Sequence, residues 1–172
     1  MKVRIKKLSE NAVIPAKAHK TDAGFDLVAT RVERDDYGCI VYHTDLSFEI
    51  PDGYMGLIFP RSSNAKKDIV LTNSVGVVDA GFRGEVTLKF KAVAGFNRVR
   101  FTDNGEGCYI AEAYAGFVEK VDEESILDCY IYKEGDRVGQ LIIMPIPDIE
   151  FEEAEELSQT DRGEGGYGSS GR

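Results

Sequence analysis

Short runs rich in Val, Ile, Phe and Tyr recur along this chain, and each is cut off by Gly, Pro, Asp or Asn before it can lengthen. The runs 3–5, 40–43, 45–50, 54–59, 85–91 and 140–146 have the length and composition of strands. β-Branched and aromatic side chains fit a pleated, half-buried surface and lose more freedom in a helix. Pro51-Asp52-Gly53 and Glu134-Gly135-Asp136 supply turn chemistry between runs. Within 85–91, Val86, Leu88 and Phe90 alternate with Thr87, Lys89 and Lys91, the period of a strand buried on one face. The best helix candidate, 122–127, is short, and no internal repeat is visible. Many short strands with frequent turns predict an all-β sandwich or barrel.

A chain of 172 residues can bury one good core and is too short for two full domains. The pattern predicts a single β domain over 1–149, with an irregular, Gly-bearing segment at about 92–132 read as an elaborated loop or hairpin. The tail, 150–172, opens with an acidic stretch and closes in RGEGGYGSSGR. Such a composition adds little to a core and is expected to be mobile when alone.

A net charge of −9 argues against a general nucleic-acid binder, which needs a basic footprint. Any phosphate site must therefore rest on local Arg side chains, backbone N–H groups and a metal ion, not on the overall field. No apolar run is long enough to span a bilayer, and MKVRIKKLSE lacks the apolar stretch of a secretory signal. Cys39, Cys108 and Cys129 are odd in number, widely spaced and free of any CxxC, which fits reduced thiols in the cytoplasm better than a disulfide frame or a zinc site.

Several short constellations could carry chemistry. In Phe59-Pro60-Arg61-Ser62-Ser63, a guanidinium beside two hydroxyls after an apolar strand reads as a phosphate clamp or as a solvated turn. Asp79 ends an apolar run before a Gly-containing turn, where a carboxylate either holds a water and accepts its proton or caps the turn. Asp26 has a buried hydrogen-bonding role or a functional one, and Gln140 donates to a phosphate oxygen or pairs at the surface. Phe82 alone would be read as core. His19 and His43 have no partners at metal-ligand spacing.

Taken in order, TDAGFDLVA, PRSS, NSVGVVDAGFRGEV, GDRVGQLI and RGEGGYGSSG resemble the five motifs of the trimeric dUTPase family, a resemblance spanning 21–171. It implies a jelly-roll-like β barrel or sandwich and a homotrimer whose three active sites each draw on more than one chain. The Gly-rich arm would close over a site. The implied activity is hydrolysis of dUTP to dUMP and pyrophosphate, keeping dUTP low and supplying dUMP for thymidylate synthesis. By motif, Asp79 would position and deprotonate a water for in-line attack on the α-phosphorus. Arg61, Ser62 and Ser63 would grip the phosphates, and Gln140 would contact the α-phosphate. Mg²⁺ would be held by phosphate oxygens and water without a dedicated protein ligand set, with Asp26 near the metal-bound water or the site wall. Uracil would lie in the hairpin 76–87 against backbone of Gly76, Val77 and Val78, bordered by Asn73 and Thr87. Phe82 would pack beneath the deoxyribose, Tyr167 would stack on the base, and Arg162, Gly168, Ser169 and Ser170 would close on base and phosphates.

Three positions depart from the family pattern. Ser63 replaces a common Gly, Phe82 a usual Tyr, and Tyr167 a usual Phe; the 92–132 segment is also longer than usual. Two alternatives share the fold. One is a dCTP deaminase, whose proton-shuttling glutamate would fall at Lys89, a side chain unable to do that work while protonated. The other is a non-catalytic nucleotide sensor, which would be expected to have lost Asp79 or the tail.

Overall fold

The structure, a computed structural model, describes residues 1–67, 69–92, 96–101, 109–113 and 131–165. Among them lie twelve strands: β1 (Arg4–Lys7), β2 (Phe25–Val28), β3 (Arg31–Arg34), β4 (Ile40–His43), β5 (Leu46–Glu49) and β6 (Tyr54–Phe59) in the first third. After a 3-10 turn (Ser62–Lys66) come β7 (Ile69–Leu71), β8 (Gly76–Val78), β9 (Thr87–Ala92), β10 (Phe96–Phe101), β11 (Tyr109–Ala113) and β12 (Arg137–Pro145). Two four-stranded sheets, ordered β2-β12-β6-β8 and β3-β4-β9-β7, are joined by the pairs β1-β5 and β10-β11. Every pairing is antiparallel.

The sheets share one core. Leu27, Ile58, Val78, Val138 and Leu141 come from one, Ile40, Tyr42, Leu71, Leu88 and Phe90 from the other, and Leu46, Phe48 and Ile50 fill in from around β5. This is the all-β sandwich the sequence predicts. The alternation in 85–91 holds: Val86, Leu88 and Phe90 are buried and Lys89 and Lys91 are exposed. At the centre, the rings of Tyr42, Phe90 and Tyr132 meet edge to face, with centroids 5.5 to 6.1 Å apart. Both expected turns form, with φ of +77° at Gly53 and +83° at Gly135, where a side chain would be strained.

Differences from the sequence reading have local causes. β2, β3, β7 and β8 are only three or four residues long, and the charged residues in FDLV and RVER hide their periodicity. β12 begins at Arg137, inside the Gly-Asp-Arg motif, because its first residues already pair with β2. Glu85, expected in a strand, instead turns its carboxylate to His43 Nδ1 (2.9 Å) and the Asp45 N–H (2.9 Å). Ile131 and Tyr132, at the edge of the segment read as an elaboration, are core residues. The helix candidate 122–127 lies outside the described residues. Cys39 is buried and free, and no described helix is long and apolar enough to cross a membrane.

Two surface carboxylates tie strands together. Asp35 accepts a 3.0 Å bond from Lys89 on the outer face of β9, and Asp45 accepts the Ser9 hydroxyl at 2.7 Å. The Lys89 bond holds Asp35 below the usual aspartate range, and the Ser9 bond does the same for Asp45. A carboxyl whose pKa is depressed by folding contributes stability above its unfolded value and loses it as pH falls through the folded value. Urea midpoints measured from about pH 6 to about pH 3 should therefore hold steady and then fall below about pH 4. A midpoint unchanged across that lower range would show that these bonds do not stabilise the fold.

Candidate active site

Three of the sequence motifs meet in one row across the β2-β12-β6 sheet. Gln140 pairs with Asp26 on one side and with Phe59 on the other. Directly opposed residues of antiparallel strands present their side chains on the same face, so Asp26 and Gln140 stand side by side. The backbone stays extended at Arg61 (φ −83°, ψ 158°), which carries its guanidinium back to this row. Arg61 Nε donates to Asp26 Oδ1 at 2.8 Å, and Arg137 Nη1 donates to Asp26 Oδ2 at 3.3 Å. The pairing of β12 with β2 shifts register between Arg137 and Gly139, an irregularity of the kind that re-aims a side chain at the edge of a site.

The Gln140 amide lies over Gly24, where a Cβ would come within 2.6 Å of Oε1. Its Nε2 donates to the Pro60 carbonyl at 3.4 Å. That packing explains the small residue in Ala23-Gly24-Phe25: anything larger would push the glutamine out of the row. Ser62 is exposed at the head of the 3-10 turn, while the Ser63 hydroxyl lies 3.3 Å from the Tyr132 hydroxyl. Beyond the row opens a cleft of about 410 Å³ lined by Arg61, Ser63, Lys67, Tyr132, Asp136 and Arg137, together with Gly135. Three cations facing one cleft, in a chain of net charge −9, make it a suitable receptor for a polyanion.

The other candidate residues sit elsewhere. Asp79 follows β8 and opens a turn closed by the Phe82 N–H on the Asp79 carbonyl (3.0 Å). Asp79 is exposed. Phe82 is half-exposed, and its ring folds over Gly84, where a Cβ would sit 2.6 Å from Cζ. Arg83 ties the turn down, donating to the Ala80 and Phe82 carbonyls. Gly76 is buried against Ile58, near the exposed Asn73; Val77 points outward and Val78 into the core. Thr87 pairs with His43 in the second sheet.

The ladder register measures the separation. Val78 pairs with Gly56, so Asp79 lies level with Met55, while Arg61 lies two residues past Phe59 at the far end of β6. At about 3.3 Å per extended residue, the two backbones are about 20 Å apart. One chain does not bring Asp79 to the Arg61–Asp26–Gln140 row. In the tail, Arg162 Nε donates to the Gly165 carbonyl at 2.9 Å in an exposed turn; Tyr167, Gly168, Ser169 and Ser170 lie outside the described residues.

Arg137, Lys67 and Tyr132 escaped the sequence reading as site residues. Arg137 sits within a quoted motif, and a cation leading into a buried strand was a usable signal; Tyr132 offered none. Lys89, at the position of the deaminase glutamate, points to Asp35, and this bond raises its pKa so that it stays an ammonium.

Comparison with known proteins identifies the family. The sequence model of the dUTPase family matches residues 10–99 and 127–171. A deoxyuridine 5'-triphosphate nucleotidohydrolase of Solanum lycopersicum is 36% identical, over 98% of this chain and 80% of its own length. One of Rhodococcus erythropolis is 32% identical, over 99% of this chain and 87% of its own. Among solved structures, a variant dUTPase of Staphylococcus bacteriophage 80alpha with dUpNHpp is 30% identical, covers 99% of each chain and superposes with a TM-score of 0.72. A variant dUTPase of phage phi11 of S. aureus, described with a coordinated structural Mg(II) ion, is 29% identical over 92% of this chain and 100% of its own, with a TM-score of 0.64. The chain belongs to the dUTPase family.

Proposed function

We propose that this protein hydrolyses dUTP to dUMP and pyrophosphate, at sites built jointly by neighbouring copies in a homotrimer. The observation that carries the reading is the row in which Asp26, Gln140 and Arg61 converge beside a cationic cleft, in a chain of this family. One copy contributes Arg61, Ser62, Ser63 and Gln140 to the phosphates; another contributes Asp79 and the hairpin 76–87. The opposite placement of the two groups along β6 supports this division, because a single copy holds them about 20 Å apart. The arm, 150–172, follows the β domain of 1–149 and would close the site with Arg162, Tyr167, Gly168, Ser169 and Ser170.

Asp79 is exposed at the mouth of its turn and would orient a water and take its proton as the water attacks the α-phosphorus. The bond to the bridging oxygen then breaks and pyrophosphate leaves. Arg61 and Gln140 meet the charge that develops on the phosphate oxygens. The oxygen-only chemistry of Asp26, with both oxygens already bonded to guanidinium groups, fits an outer position around Mg²⁺ held by phosphates and water. Mg²⁺ bound in that way would neutralise the triphosphate and ease departure of pyrophosphate.

Base selection follows from topology. β8 is the outermost strand of its sheet, so one edge keeps N–H and C=O groups that β6 does not use. Such groups can read uracil, and would leave the amino group of cytosine facing a donor. Phe82, bent over Gly84, supplies an apolar floor for a 2′-deoxy sugar. The deaminase alternative lacks its acid, since Lys89 is held as an ammonium by Asp35. A site of this kind acts on a free nucleotide in the cytoplasm, with no call for nucleic acid or a membrane.

Two measurements test the reading. With Mg²⁺ and each of dUTP, dCTP, dTTP and UTP, product analysis should show dUMP and pyrophosphate from dUTP alone; the Asp79→Asn variant should still bind dUTP but turn over at least ten-fold slower, and a smaller loss would remove Asp79 as the base. Separately, Arg61→Ala and Asp79→Asn variants, each inactive alone, should regain part of the activity when unfolded and refolded together, because some sites then combine two intact halves. No recovery in mixed assemblies would place both residues' functions in one copy.

A further inference from the structure

The cleft holds a charge that the row does not use. Arg61 and Arg137 share the Asp26 carboxylate, so their two positive charges are partly compensated. Lys67 also lines the cleft, and among the described residues its partners are neutral: its Nζ donates to the Ile131 carbonyl at 2.8 Å and stands 5.0 Å from the centre of the Tyr132 ring. An ammonium over an aromatic face is held without losing its charge. Among the described residues, Lys67 is therefore the cation of this cleft that makes no ion pair, although Asp136 shares the lining.

Tyr132 organises both sides of that arrangement. The residue is 2% exposed, and its ring is fixed edge to face between Tyr42 and Phe90. Its backbone carbonyl accepts the Tyr42 hydroxyl at 3.2 Å. From this anchored position its hydroxyl reaches the Ser63 hydroxyl, and its ring face carries the Lys67 ammonium.

We infer that Tyr132 is a positioning residue for the phosphate end of the site: it orients the Ser63 hydroxyl and holds Lys67 over the cleft to receive the terminal phosphates. The inference rests on the dUTPase reading for its substrate, but the cleft's anion affinity can be measured without turnover. Tyr132→Phe removes one oxygen and keeps the ring in the core; Ser63→Ala removes its partner. The probe is inorganic pyrophosphate with Mg²⁺, titrated calorimetrically into the full-length protein, alongside KM and kcat for dUTP and thermal unfolding.

Tyr132→Phe should weaken pyrophosphate binding and raise KM about 2- to 10-fold, the net worth of one hydrogen bond, with kcat and the unfolding midpoint unchanged; Ser63→Ala, which also removes a phosphate-facing hydroxyl, should weaken pyrophosphate binding at least as much. The double variant should be no worse than Ser63→Ala alone, since the Tyr132 hydroxyl acts through Ser63. Lys67→Met should weaken pyrophosphate binding further. Additive effects, unchanged affinity, or loss of kcat together with the unfolding midpoint would each overturn the inference, the last by reducing Tyr132 to a core residue. Failure to turn over dUTP, with pyrophosphate still bound through Tyr132 and Ser63, would sink the functional reading and leave this one standing.

Discussion

β12 lies between β2 and β6 and hydrogen-bonds to both, joining a segment near residue 26, one near residue 59 and one near residue 140 into a single row. Residue positions separated by more than a hundred in sequence become neighbours only through this pairing. Antiparallel strands have a two-residue period, so a slip of one position would turn Gln140 into the core and Leu141 outward. The buried Leu141, paired with the buried Ile58 of β6, forbids that slip, because exposing it surrenders core packing. The geometry of the polar row is thus held by apolar residues on the opposite face.

The charges in that row are compensated in a particular way. Asp26 is mostly buried, and an isolated carboxylate there would be costly; two guanidinium groups satisfy its oxygens. The same pairs tie Arg61 and Arg137 to one anchor, which under the proposed function would lower the ordering needed when phosphate binds. In the second half of the site, backbone does comparable work. Arg83 bonds two carbonyls of the Asp79 turn, and the Ser47 hydroxyl donates to the Arg83 carbonyl at 2.7 Å, so the turn carrying Asp79 is fastened to β5.

The fold class and the residues of the row were legible in the sequence for different reasons. Alternation in Val86, Leu88 and Phe90 exposes a strand directly, whereas β2 and β3 interleave charged side chains with apolar ones and leave no clear period. Asp26, Arg61 and Gln140 were found through motif order, not through local chemistry, since each alone could equally have been a surface group. What no motif could show is that Asp79 ends up at the opposite end of β6 from Arg61, because strand register is a property of pairing across the chain. Tyr132 was hidden for a related reason: its partners Ser63, Lys67, Tyr42 and Phe90 come from three separate stretches, and nothing adjacent to it in sequence marks it as an anchor.

The brevity of β8 has a consequence for how the protein behaves in a crowded solution. An unpaired sheet edge is a template on which foreign strands can grow, and the usual protections are charge, bulges or cover. β8 spans only Gly76–Val78 before the chain turns away at Asp79. Three residues give an incoming peptide too few bonds to stay, yet they suffice for a single flat heterocycle with donors and acceptors along one side. The edge is short enough to resist aggregation, and under the proposed function the same three residues would recognise a base.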